Sequence, residues 1–351
     1  MSHLVTLGRV LVKTCAALLL CSLFQIVANA QARIRLATLL PQGTSQYHSL
    51  EAMGQQWRTG TNGAITLTIY AGGIMGSEKE TVSRMRLGQL QAATLSVGGL
   101  SEIDPAVGAL QKIPLLYRSL DEMEYVRRKL EKDIQIRLED KGFWVLFWTD
   151  AGWVNILCRQ PYAHPDEFKK GKVFVTADDH QEIELINHLG FRAVPLEWSD
   201  VFLSLQTGMV DTVPVTPFYA EASQLDTVAK HLLLLNYVPL VGATVVTKKT
   251  WEALTPEQRD VLQKAGAEAG KKIQERSRAE AQEAIEAMKK RSGLQVEAVP
   301  AGLQEEWRRF AESVYPRMRG NLIPADIFDK ALSLVAEYRA EFANGQGNAR
   351  P

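Results

Sequence analysis

The chain reads as an α/β protein built from two units, each with a mainly parallel sheet. Three observations carry that reading. Short β-rich runs alternate with helical stretches as far as Thr149, Asp150-Ala151-Gly152 then interrupts the pattern, and a second series of strands follows it. Arg33 to Leu39 alternates apolar and polar and predicts a first strand. Thr44 to Arg58 has helical periodicity and stops at Gly60. Ile65 to Tyr70 predicts a strand before Gly72-Gly73, Glu78 to Leu87 a helix ending at Gly88, and Ala92 to Val97 a third strand. Leu120 to Lys141 predicts a helix leading into the strand Phe143 to Thr149.

The second unit predicts strands at Val154 to Cys158, Lys172 to Val175 and Thr212 to Thr216, with a buried strand at Leu232 to Leu235. Ala243 to Thr247 predicts a strand that rejoins the first sheet. Thr255-Pro256-Glu257-Gln258 marks a helix start with proline in the first turn, and the helical pattern then runs towards Lys290. That length is unusual for a globular helix and is compatible with a solvated helix or a coiled coil. Gly302 to Tyr315 and Ala325 to Phe342 predict two further helices.

Composition sets bounds on function. A chain of 351 residues with 46% hydrophobic content supports one or two substantial cores. Lys+Arg and Asp+Glu are both 40, so there is no basic field that calls for nucleic acid. Arg9 and Lys13 precede an apolar run from Thr14 to Val27, and Ala28-Asn29-Ala30 is a small-x-small cleavage pattern. The run is short for a membrane span, which needs about 20 residues. The expectation is an exported chain cleaved after Ala30, with a signal anchor as the alternative. Cys21 follows Leu20, which is large for a lipoprotein site, and lipidation at Cys21 stays an alternative. Cys15 and Cys21 lie in the leader, so Cys158 stands alone in the expected mature chain and reads as a small buried hydrophobe.

Several segments share an order and a character. Leu36-Ala37-Thr38-Leu39-Leu40-Pro41 opens the series, Ile69 to Glu78 carries Tyr70 and a Gly-rich turn, and Met85-Arg86-Leu87-Gly88-Gln89-Leu90 ends a helix. Ile113-Pro114-Leu115-Leu116-Tyr117 follows, then Gly171 to Val175, Gly190 to Pro195, and Leu205 to Asp211. Together they resemble the solute receptors of TRAP (tripartite ATP-independent periplasmic) transporters, over roughly Ile34 to Val299. The resemblance implies a two-lobed periplasmic binding protein fold, two mainly parallel sheets flanked by helices, with a long helix spanning both lobes. It implies a non-catalytic receptor that needs no cofactor, closes on a small-molecule ligand and hands it to membrane permease subunits. The implied boundaries are a signal peptide over 1–30, lobe I over 31–152 plus 241–284, lobe II over 153–240 plus 285–343, and a flexible tail over 344–351. The crossovers Gly152-Trp153 and Leu240-Val241-Gly242 are the implied hinges.

The implied pocket departs from the family. Phe174 stands where the family's arginine clamps a carboxylate with its planar fork. Val154 takes the place of a second arginine and Val215 that of a substrate-binding asparagine, while Trp198 keeps the aromatic wall. With Trp153, Thr38, Gly73 and Phe218 these are the candidate ligand-binding residues. They suit an apolar or amphipathic ligand, since burying a carboxylate without a partner costs several kcal/mol. Two alternatives remain: side chains that fill the cleft in a docking or scaffold protein, or a clamp from another basic residue such as Arg192. Asp178-Asp179-His180 with Glu182 reads as a helix cap, with Glu182 completing a box from Asp179, in preference to a metal site. Tyr219 beside Phe218 reads as either cleft or core. No nucleophile–base pair is apparent.

Overall fold

The computed structural model describes residues 32–177 and 179–343. The leader with its Ala30 site, Cys15 and Cys21, Asp178 and the tail over 344–351 lie outside the described residues. Nine strands form one sheet in the order β2-β1-β3-β8-β4-β7-β5-β6, with β9 also paired to β8. They are β1 Ala32–Thr38, β2 Ile65–Tyr70, β3 Ala92–Ser96, β4 Phe143–Cys158, β5 Lys172–Thr176, β6 Arg192–Leu196, β7 Thr212–Val215, β8 His231–Thr247 and β9 Gln295–Ala298.

Two of these strands are long. The sequence reads β4 as two strands broken at Asp150-Ala151-Gly152, and β8 as two strands separated around Asn236 to Gly242. Both instead run unbroken, over 16 and 17 residues. The turn-like residues are absorbed as irregularities in the β4–β8 ladder. Register shifts fall between Asp150 and Trp153 and between Val154 and Ile156. Gly152 adopts φ +80 and Asn236 φ +49, and Pro239, which has no N–H to give, lies opposite Trp153.

The two sheets expected from sequence are therefore joined. In the first half β2, β1, β3 and β4 run parallel and β8 runs against them. In the second half β9, β8, β7, β5 and β6 run parallel and β4 runs against them. Each long strand is thus the odd member of one half and a regular member of the other.

Period-2 alternation divides each half's apolar residues between its two faces. In the first half Ala93, Leu95, Ala243 and Val245 enter one cluster while Ile34, Leu36, Ala92 and Val246 enter another. In the second half Leu157, Phe174, Val213 and Val215 oppose Ile156, Cys158, Val173 and Leu233. Burial pushes the Cys158 thiol up to about 12, as befits a packing residue with no nucleophilic role.

The long helix is Pro256–Ser292, 37 residues. Thr255 caps it, accepting from the Gln258 N–H while the Gln258 side chain returns a bond, and Gly293 ends it in the left-handed region at φ 71. Its N-terminal part places Leu262, Ala265, Ala269 and Ile273 in a first-half cluster, and its C-terminal part places Ile285 and Met288 in a second-half cluster. It therefore spans both lobes. Small residues let it lie close to β4: a Cβ at Gly266 or Gly270 would come within 2.9 Å of Leu146 and 2.7 Å of Phe147.

One assignment is corrected. The C-terminal helix Ala325–Ala343 packs on the first half, not the second. Ile327, Phe328, Ala331, Leu334 and Val335 share a cluster with Val126, Leu130, Ile134 and Leu138 of the helix Leu120–Asp140. Ion pairs Arg339–Glu122 and Lys330–Asp133, both 2.6 Å, fix the same docking. Helix Ala301–Glu312 does pack on the second half, through Trp307.

The crossover has little room. A Cβ on Gly242 would meet the Leu95 carbonyl oxygen at 2.8 Å, a backbone atom that cannot swing aside. Gly242→Ala is expected to lower stability by about 1–3 kcal/mol, read as a lower urea midpoint at unchanged slope; a midpoint equal to that of the unsubstituted protein would contradict the close approach.

Candidate functional site

In the second half, β5 carries Phe174 in its middle, opposite Val194 of β6. Its ring is 4% exposed and meets Trp198 edge-on, with centroids 4.6 Å apart. Trp198 opens the short turn after β6 and in turn meets Tyr219 edge-on at 5.0 Å. Val215, at the end of β7, is 3% exposed in the same cluster. Tyr219 reaches this stack because Thr216 caps the helix Pro217–Ala222, accepting from the Tyr219 N–H and setting the first turn. Phe218, the candidate from sequence, is half-buried outside the stack; its neighbour Tyr219 takes the aromatic place. Burial raises the Tyr219 hydroxyl. Edge-on ring pairs add about 0.5–1.5 kcal/mol each beyond area burial, so the stack is a structural element as well as a wall.

Two further candidates sit on β4. Val154 is buried and paired with Val238, while Trp153, just after the register shift, packs on the first-half core. Thr38 and Gly73 belong to a separate group in the first half. Gly73, at φ +75, donates its N–H to the Thr38 carbonyl (3.1 Å). Both line a cavity of about 10 Å³ together with Thr94 and Glu78, which is room for about one water. The structure thus brings Phe174, Trp198 and Val215 together, and separately Thr38 with Gly73. Arg192, the alternative clamp, is exposed at the start of β6.

Sequence reasoning missed the charged groups at the junction. Glu78 begins the helix Glu78–Arg86 and accepts from the Ser96 N–H (2.7 Å), the Ser96 hydroxyl (2.5 Å) and the Gly99 N–H (2.8 Å). Burial nevertheless pushes its carboxyl above the usual range. Lys112 lies 2.5 Å from Asp179. Asp179 does cap the helix His180–His188, accepting from the Glu182 N–H at 2.9 Å. Glu182 is half-buried beside Asp179 and Lys112, whose charges both act on its carboxyl. Asp150, 1% exposed on β4, accepts from Gln274 (2.5 Å) and from Arg278 (3.1 Å), both on the long helix. Only the Asp179 cap had a local signal. The other partners are far apart in sequence and meet only once the tertiary fold is assembled.

This geometry contains aromatic, aliphatic and acidic walls, with Lys112 and Arg278 engaged by carboxylates. It contains no basic side chain at position 174, 154 or 215. Such a site can bind and orient a molecule, and nothing in it supplies an activated nucleophile.

Comparison with known proteins agrees with the architecture. The model of bacterial extracellular solute-binding protein family 7, DctP, matches residues 36–321. The C4-dicarboxylate-binding periplasmic protein DctP of Rhodobacter capsulatus is 25% identical over 259 residues, 74% of this chain and 78% of that protein. The sialic acid-binding periplasmic protein SiaP of Vibrio cholerae is 22% identical over 254 residues, 69% of this chain and 75% of that protein. Among solved structures, a TRAP periplasmic solute-binding protein of Xanthobacter autotrophicus with bound β-D-galacturonate superposes with a TM-score of 0.79 at 20% identity, covering 86% of this chain and 99% of that one. The matched span, the joined two-lobed sheet and the long bridging helix place this chain in the DctP family of bacterial extracellular solute-binding proteins, as a receptor of the TRAP type.

Proposed function

We propose that this receptor binds an apolar or amphipathic solute in the periplasm and delivers it to TRAP membrane permease subunits. One observation carries the ligand class. At the place that by resemblance holds the carboxylate-clamping arginine stands Phe174, 4% exposed and packed edge-on against Trp198. The relatives named above carry acids in their names: a C4-dicarboxylate, sialic acid and a uronate. The reading departs from them because a buried carboxylate needs a cation or several donors, and Phe174, Val154 and Val215 offer neither. Burial of apolar ligand surface yields about 25 cal/mol per Å² and would supply the affinity. Phe174, Trp198, Val215 and Tyr219 form one wall of the proposed site and Thr38 with Gly73 the other, with bending at Gly152-Trp153 and Leu240-Val241-Gly242.

A second reading has its own support. The cavity beside Thr38 and Gly73 holds about 10 Å³, and the aromatic side chains already pack on one another. A cleft filled in this way would belong to a docking protein that keeps the receptor fold without transporting a solute.

Thermal-shift and calorimetric titration of the mature chain against a panel of organic acids and a panel of lipid-like molecules separates these readings. The proposal expects stabilisation by members of the second panel, with little dependence on salt and a negative heat-capacity change. Silence from both panels would favour the filled cleft, and tight binding of an acid would overturn the ligand class. Phe174→Arg is expected to destabilise the protein by at least about 3 kcal/mol, through loss of ring packing and burial of an unpaired cation, without creating acid binding. Arg192→Ala, at an exposed site, is the control and should shift stability by no more than about 0.5 kcal/mol.

A further inference from the structure

We propose that the first half carries a second binding site, at the end of its sheet remote from Thr38 and Gly73, which takes a soluble phosphate-bearing anion. The site is a groove of about 830 Å³, within the size range of small-molecule pockets. Five cationic side chains line it, Arg33, Arg86, Lys141, Lys248 and Lys249, and no carboxylate does. The whole chain has 40 basic and 40 acidic residues, so a wall of one sign is a local arrangement. Thr38 ends β1 while Ala32, in the groove wall, begins it. At roughly 3.3 Å per residue the two ends lie about 20 Å apart, which keeps the groove clear of the solute cleft.

The fold gathers these cations from four separate elements. Arg33 is the second residue of β1, and Arg86 ends the helix Glu78–Arg86. Lys141 follows the helix Leu120–Asp140, and Lys248 and Lys249 open the helix Lys248–Glu252 after β8. They meet because β1, β3, β8 and β4 are neighbours in the sheet, and β1, β3 and β4 begin on the side where β8 ends. Two backbone bonds fix the rim. The Thr247 N–H donates to the Gln91 carbonyl (2.9 Å) and the Lys248 N–H to the Gly142 carbonyl (2.8 Å). The side chains keep their charge available. Arg33 donates to the Thr68 hydroxyl (3.1 Å) and Arg86 to the Glu102 carbonyl (2.9 Å). Among the described residues, none of the five pairs with a carboxylate. On other faces Arg127, Lys272, Arg291 and Lys330 each hold an acid.

Like charges around a concave surface focus the field and raise the local concentration of anions. The long helix adds to that field. It begins at Pro256, and its cap Thr255 lies with Gln258 in the groove wall, so the positive end of its dipole is at the groove. Glu257, in the first turn, is exposed outside the lining. Arginine holds phosphate through its planar fork and lysine holds it as a point charge. A phosphate monoester brings about two negative charges with three acceptor oxygens, so one or two such groups match the five cations better than a monocarboxylate does. A recessed wall that includes half-buried Lys248 suits a small molecule that can enter it, in preference to a flat bilayer surface. The site is independent of the solute class proposed above.

The test is calorimetric titration of the mature chain with inorganic pyrophosphate at low ionic strength, with flotation on phosphatidylglycerol vesicles in parallel. Saturable binding of pyrophosphate is expected, and added salt should weaken it severalfold. Lys248→Gln with Lys249→Gln should weaken it by about tenfold or more, through loss of charge-assisted bonds, at an unchanged thermal midpoint. Arg86→Gln, on a different element, should weaken it in the same sense. Arg192→Gln with Lys290→Gln removes the same charge from exposed positions of the second half and should bind as the unsubstituted protein does. Failure to bind pyrophosphate, equal weakening in the two double variants, or binding to vesicles alone would overturn the proposal.

Discussion

The antiparallel pairing of β4 with β8 is the constraint on which everything else rests. These two strands supply the shared members of both half-sheets, so neither half can be completed without the other. Their ladder runs from Phe143–Thr247 at one end to Cys158–His231 at the other. A pair that passes through both cores cannot slip in register without moving apolar side chains to the wrong face in four clusters at once. The ladder is least regular in its middle, where Gly152, Asn236 and Pro239 interrupt it, with one further register shift between Val145 and Phe147. Asp150 lies at the edge of that interruption, held by Gln274 and Arg278 of the long helix. The interruption is thereby tied to the element that packs on both lobes.

The proposed departure from the relatives named for acids rests on the same frame. Position 174 is the middle of a buried strand whose inward residues feed one aromatic and aliphatic cluster. A phenylalanine there satisfies the period-2 core pattern directly. A basic residue at that position would need an anion or a ring of acceptors to offset its burial. Trp198 and Tyr219 pack continuously with the core, so ligand binding at the proposed site would be coupled to stability in this half. The charges that remain near the junction, Glu78, Lys112, Asp150, Asp179 and Arg278, engage one another or the backbone.

Much of the fold was legible because it follows local chemistry. The Thr255-Pro256-Gln258 start of the long helix, the strand Ile65–Tyr70 and the Asp179 cap are set by residues within a turn of each other. The continuity of β4 and β8 was not legible, because Asp150-Ala151-Gly152 and Pro239 carry turn chemistry that only cross-strand pairing converts into bulges. Placement of Ala325–Ala343 on the first half depends on matching apolar stripes between two helices distant in sequence, with Glu122 and Asp133 awaiting Arg339 and Lys330. Phe174, Trp198 and Val215, singled out by motif positions, do share one cluster, and their contact with a ligand is the proposal. Tyr219 displaced Phe218 because the choice depends on the rotation of one short capped helix. Lys112 and Asp179 had no sequence signal as a pair, since they meet only where the two halves pack together.

Native mass spectrometry of the receptor purified from its own periplasm tests the central claim most directly, because it identifies what occupies the cleft without assuming a panel. The account predicts a copurifying species that is largely apolar, lost on brief denaturation and regained on refolding with it. A uronate, sialic acid or dicarboxylate bound in stoichiometric amount would contradict it, since the site would then hold a buried carboxylate where Phe174, Val154 and Val215 provide no partner.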